Sequence, residues 1–318
     1  SGNSNVGGMI GSSIGSGDDA SLSSVYTTGV VSGGGYATGG LIGYNHSAFI
    51  TDSYSEVDVS GSDSVGGLVG DNYSNEILRS YSTGNIVGTG TFVGGLIGGN
   101  YDSDVRESYA LGGVTGDGQV GGLIGGNYGG EVSDSHALGD VEGSGYAVGG
   151  LSGYNSSGSF EIGKIINSYA TGGVNGHDGA VGGLVGYNDG EINNSYSITD
   201  VVGEGGGVGG LIGQSFSGQI IDSHFEGTVL GDGYGLGGFI GEGSGSISDS
   251  YALARVENLD LDIWGTATGG FIGGDYGFTI NDSYFRGKVI GYEELGGFAG
   301  YASGDFYKLY NPNFELFC

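Results

Sequence analysis

The chain has 318 residues, 79 of them Gly with only one Pro, one Cys and one Trp, and 36 acidic against seven basic side chains give a formal charge of −29. That charge repels phosphate backbones and anionic lipid, which excludes nucleic-acid binding and favours solubility, cations and basic partners. The lone Cys318 excludes a disulfide-stapled scaffold, so backbone ladders and packing must hold the chain.

No stretch reads as a membrane-spanning helix or a signal peptide, so membrane insertion is not expected and a signal for export would lie outside this chain. The first element, VGGMIG from Val6, sets the pattern for everything after it. Its Gly pair recurs at Gly39, Gly66, Gly94, Gly121, Gly149, Gly182, Gly209, Gly237, Gly269 and Gly296, at spacings of 27 or 28 residues except for three of 32 or 33. The longer spacings place insertions near Ser12–Ala20, Ser156–Ile162 and Glu257–Trp264. About 15 residues after each pair comes a second signature, such as DSY at 52–54, DSH at 134–136 or NSY at 194–196. A unit of this length, with short apolar segments and Gly-rich corners, cannot bury its own apolar face, but stacked copies can. Helix is disfavoured by the Gly density. The expected fold is all-β: a β-solenoid, a right-handed parallel β-helix from strand twist, of about ten to eleven coils with three loop insertions.

Parity along a strand sorts the columns. Four residues before each aromatic stands an aliphatic (Leu22, Ile50, Ile77 and on to Ile280), and five after it another (Val31, Val59, Ile86 and on to Val289), so both columns are predicted core. The aromatic then points outward, and so does the Asp52, Arg79, Glu107, Asp134 column, where a charge excludes a dry core. The Ser between them points in and needs partners. An outward ladder of Tyr54, Tyr81, Tyr109, His136, Tyr169, Tyr196, His224, Tyr251 and Tyr284 results, headed by Tyr26; it is read either as a stack that stabilises the sheet or as a strip that binds glycans or cations. In GGLIG the two aliphatics have opposite parity. Either Val65, Val69, Val93, Ile97, Val120, Ile124, Val208 and Ile212 form an exposed stripe that another sheet covers, or a bend at Gly-Gly turns both inward. The following Asn45, Asn72, Asn100, Asn127, Asn155 and Asn188 are expected at a left-handed corner, as a stacked amide ladder.

GGLIG, GGLVG and GGFIG, followed by NSYATG or DSYALA, resemble the GLUG motif repeat, named for Gly-Leu-any-Gly and found in large bacterial surface and secreted proteins. The resemblance runs to about Ser303, implies an extracellular adhesin-like or stalk region, and carries over no catalytic residue.

Residues 1–305 are thus read as repeats and 306–318 as a cap or docking tail, with Tyr307, Tyr310, Phe314, Leu316 and Phe317 as its assembly residues. His46, His136, His177 and His224 form no close metal pair, and no nucleophile elbow or P-loop is present. No cofactor is expected, beyond weak Ca²⁺ at the Asp-rich GGNYDSDV of 98–105. The leading reading is a non-catalytic extracellular scaffold that self-associates, as a filament or side by side, and meets glycans or cell-surface partners. A polysaccharide-active β-helix enzyme is the alternative; ice binding is a third, weakened by a column that mixes Thr28, Thr83 and Thr171 with Glu56, Leu111 and Arg286.

Overall fold

The computed structural model describes residues 4–15, 20–73, 75–259, 266–310 and 315–317. Among these the regular structure is all strand, in three parallel sheets of 11, 20 and 15 strands. The 11-stranded sheet takes one strand from every repeat, so the solenoid has eleven turns. One turn shows the plan. Tyr54–Gly61 lies in the tyrosine sheet, Ser64–Gly66 in a middle sheet, and Val69–Tyr73 and Ile77–Leu78 in an asparagine sheet.

The middle sheet is what the Gly pair builds. A side chain on Gly66 would meet the Val69 carbonyl at 2.0 Å, and one on Gly70 would meet the backbone of Thr38 and Ala37 at 2.7 and 3.1 Å. The middle and asparagine sheets therefore touch backbone to backbone. On the other side, side chains on Gly61 and Gly67 would strike Val65 and Ser82, which belong to the middle and tyrosine sheets. Three layers result, and the middle strands are buried throughout turns two to nine except for the half-buried Phe92 and Gln119.

Both aliphatics of GGLIG are buried: Leu68 and Val69, Leu96 and Ile97, Leu123 and Ile124 all lie in one core cluster with Val65, Val93 and Val120. Of the two alternatives the inward bend holds, and the exposed stripe does not exist. At Gly67–Leu68 the chain turns back on itself, so strand parity restarts, and the N–H groups of Leu68 and Val69 both donate to the single carbonyl of Leu96 (2.8 and 3.0 Å). The sheet that the Gly columns admit is the chain's own.

The two predicted core columns are buried from Ile50 and Val59 onward, with Leu22 half-buried in the terminal turn. The asparagine column is buried too, but on a strand and not at a left-handed corner. Each Nδ2 donates to the next turn's Oδ1, from Asn45 to Asn72 at 2.8 Å and so on to Asn188, and also to a backbone carbonyl of its own loop. The left-handed corner belongs to the column two residues before each aromatic, where Asp52, Arg79, Glu107, Asp134, Asn167, Asn194, Asp222, Asp249 and Asp282 have φ between 45° and 52°. Asp and Asn tolerate that backbone best, which explains their excess there. The inward Ser next along forms a second polar spine. Ser80 Oγ donates to its own loop at Leu78 O (2.9 Å) and accepts the N–H of Ser53 one turn below (3.2 Å), and the pattern repeats up to Ser283.

The segment after Gly304 is laid on turn ten in the repeat's own register. Asp305–Tyr307 pairs with Thr279–Asn281, Tyr310 bridges to Tyr284, and Glu315–Phe317 pairs with Lys288–Ile290. Phe306 therefore sits in the Ile column and Leu316 in the Val column. Its described residues complete the eleventh turn, opened by the Gly296 pair, and cover turn ten as a cap does. Phe314, Pro312 and Cys318 lie outside the described residues, as do Asp18, Asp19, Asp260, Asp262 and Trp264 of the insertions.

Candidate functional site

The aromatic column is placed by the left-handed corner before it, which swings the chain from the asparagine sheet onto the tyrosine sheet and leaves the ring outside. Tyr26, Tyr54, Tyr81, Tyr109, His136, Tyr169, Tyr196, His224, Tyr251 and Tyr284 stack without interruption, neighbouring centroids 4.7–5.1 Å apart and planes within 9°. The spacing is that of the β rungs, so each ring covers its neighbours' faces and leaves one edge in water. Burial holds the imidazoles of His136 and His224 below the ordinary range, and at neutral pH they stack as uncharged rings.

The corner column beside it is cross-linked in places. Arg79 grips Asp52 with two hydrogen bonds (2.7 and 2.9 Å), which holds that carboxyl below its usual range. Asn194 donates to Asn167 (2.7 Å), Asn167 to Asp134 (3.2 Å), and Lys308 pairs with Asp282 (3.2 Å).

A second aromatic ladder, absent from the sequence reading, runs up the asparagine sheet. Tyr44, Tyr73, Tyr101, Tyr128, Tyr154, Tyr187 and Phe216 follow one another at 4.3–6.0 Å. It draws on two sequence columns. In turns with Tyr44, Tyr154 or Tyr187 the middle-sheet residue seven positions earlier is Ala; in the turns with Phe92 or Gln119 the residue seven positions later is Gly99 or Gly126. A side chain on Gly126 would lie 2.8 Å from both Gln119 and the Tyr128 ring, so large and small residues alternate to fill one space. That compensation was readable in the repeats, but only once the seven-residue pairing is known.

Asp71 is enclosed in this ladder. It is fully buried, and loss of water pushes its carboxyl from 3.8 up to about 7, against the opposing effect of the Ser64 and Tyr36 hydroxyls beside it. A carboxyl raised on folding contributes stability that is complete below pH 4 and is lost as pH rises to about 7. Asp71→Asn should therefore stabilise the fold by about 2 kcal/mol at pH 8, after the amide's own burial is counted, and add almost nothing at pH 4. Chemical denaturation at the two pH values measures this; an equal gain at both would show that Asp71 does not titrate as described.

The second insertion folds back over the asparagine sheet. Asp102, expected as a weak Ca²⁺ ligand, accepts the N–H groups of Ser159 and Phe160 (both 3.3 Å) and so pins the loop two turns away. Beneath the loop lies a groove of about 650 Å³ with Phe49, Glu76, Asp104, Arg106, Phe160 and Glu161 on its walls. Arg106 bridges Asp104, Glu76 and Glu131 at 2.7–3.5 Å. Among the described residues no three His, Cys, Asp or Glu side chains gather as metal ligands would.

Of the expected assembly residues, Tyr307, Tyr310, Leu316 and Phe317 are exposed, and Phe317 carries the Lys288 ammonium 4.1 Å above its ring. No described helix is long and apolar enough to cross a membrane. The GLUG motif model matches residues 116–142, 177–202 and 204–230. Each match starts near the end of a tyrosine-sheet strand and closes a full turn, so one motif is one coil. No curated protein and no solved structure matches the chain.

Proposed function

From three GLUG motifs lying within one continuous solenoid, we propose that this chain is a non-catalytic extracellular scaffold, a rigid adhesive rod whose outer aromatic column binds glycans at the cell surface. The observation that carries the reading is the unbroken stack of ten rings on a flat sheet. A repeat scaffold needs its rungs locked, and the amide spine, the serine spine and the ring stack lock them from three sides. The line of ring edges free to water, beside carboxylates and amides, offers an apolar ridge with a polar rim for a sugar. The acidic surface keeps such rods soluble and apart from lipid.

Replacing Tyr81 and Tyr109 together by Ala should weaken retention on insoluble cellulose or chitin by about tenfold or more, each lost ring contact counting for about 1 kcal/mol, while circular dichroism stays unchanged. If retention is unaffected, the column is structural only. The enzyme reading has one observation in its favour, the carboxylate-walled groove under residues 157–163. Release of reducing or unsaturated sugar ends from polysaccharide by the intact chain, abolished in Glu161→Gln, would support it over the scaffold.

A further inference from the structure

Four of the seven basic side chains of this acidic chain fall in its last three turns, and three of them share the outer face of the tyrosine sheet. Counting turns by their column aromatic from Tyr26, Arg286 and Lys288 stand in turn ten, in the columns two and four residues after the ring. The same two columns carry Glu56 and Asp58 in turn two. Between these ends the face holds exposed Leu111, Leu138 and Ile198 in the first column. Arg286 has no ion pair among the described residues, whereas Arg255 is taken by Glu257 and Lys288 lies over Phe317. The recess beside Arg286, lined also by Leu253, Ala254, Gly287 and Glu315, is open, and its volume is about 520 Å³.

We infer that this face docks against the same face of a second copy, antiparallel, about a two-fold axis parallel to the strands over turn six. The inference names the surface for the self-association expected of the scaffold. Such an axis sets turn ten over turn two and turn seven over turn five while keeping each column opposite itself, the ring column included, so the dimer covers the glycan strip and only the single rod presents it. Arg286 then meets Glu56, Lys288 meets Asp58, and Ile198 meets Leu138, each twice by symmetry. Apolar contacts take the centre and ion pairs the ends, the usual distribution in an interface between copies. Two contacts oppose it: Asp140 of turn five falls opposite Asp200 of turn seven, and Glu226 of turn eight falls opposite Leu111 of turn four.

Sedimentation velocity tests this on the full chain. The unaltered protein should dimerise, and more weakly as salt is raised. The pair Arg286→Glu/Lys288→Glu should weaken the dimer by about tenfold or more, and so should Glu56→Lys/Asp58→Lys, because each leaves like charges opposed. An equimolar mixture of the two variants should dimerise again, since every opposed pair is then of opposite sign. Asp140→Asn should tighten the dimer. A monomer at all concentrations, or variants that dimerise as well alone as when mixed, would overturn the inference. Rods that are seen singly by electron microscopy and still bind glycan would sink the dimer and leave the scaffold reading standing.

Discussion

Gly121→Ala is expected to cost on the order of 4 kcal/mol or more, far above the ordinary cost of Ala for Gly in a strand. The added methyl would lie 2.0 Å from the Ile124 carbonyl and 2.7 Å from the Gly153 N–H, both backbone, so no side chain can swing aside. Gly121 has an ordinary negative φ, so the loss is steric and reports directly on the contact between the middle and asparagine sheets. Gly113 is the matched control. A methyl there meets nothing nearer than 3.5 Å, and Gly113→Ala should lie within about 0.5 kcal/mol of the parent. Equal costs for the two variants, measured by denaturant unfolding, would mean that the sheets are not in backbone contact.

Ile192→Asp is expected to be worse still. Ile192 is buried in register between Ile165 and Ile220, and a carboxylate there has neither water nor a cation. An unpaired charge in such a place costs several kcal/mol even after its pKa shifts. Stacked turns are stabilised by their neighbours, so hydrogen exchange should accelerate across turns five to nine and not at Ile192 alone. Asp222, at the left-handed corner, is the contrast: φ is 49° and Asn accepts that backbone as readily. Asp222→Asn should change stability by less than about 0.5 kcal/mol. Comparable losses at the two sites would contradict the assignment of inside and outside.

The repeat length, the Ile and Val columns and the outward rings were legible because each is a statement of parity within one straight strand. Parity fails where the chain reverses. The turn at Gly67–Leu68 has no side-chain signature apart from the Gly pair itself, so strand parity alone does not reveal that Leu68 and Val69 are both buried. The Asn column was recognised as a ladder, but its place was not, because Asn serves equally at a left-handed corner and in a buried amide stack. The corner went instead to residues as dissimilar as Asp, Arg and Glu, where an outward position masks the backbone's demand. The second ring ladder was hidden because neither of its two columns is aromatic in every repeat. The C-terminal continuation of the repeat was hidden because Lys308-Leu309-Tyr310 stands where other turns have Asp-Ser-Tyr, although Phe306, Tyr310 and Leu316 fall into the columns of the turn before.

Successive repeats are successive rungs of one straight rod, presenting equivalent residues in lines along it. Spin labels at pairs of positions in one outward column measure this directly, in a Cys318→Ser background with excess unlabelled protein. Glu56 paired in turn with Thr171, Glu226 and Arg286 spans four, six and eight rungs, which at roughly 4.8 Å per rung should give about 19, 29 and 38 Å. Distances that rise in that linear order would establish the rod and its register; distances that level off or scatter would show that the repeats do not stack as described.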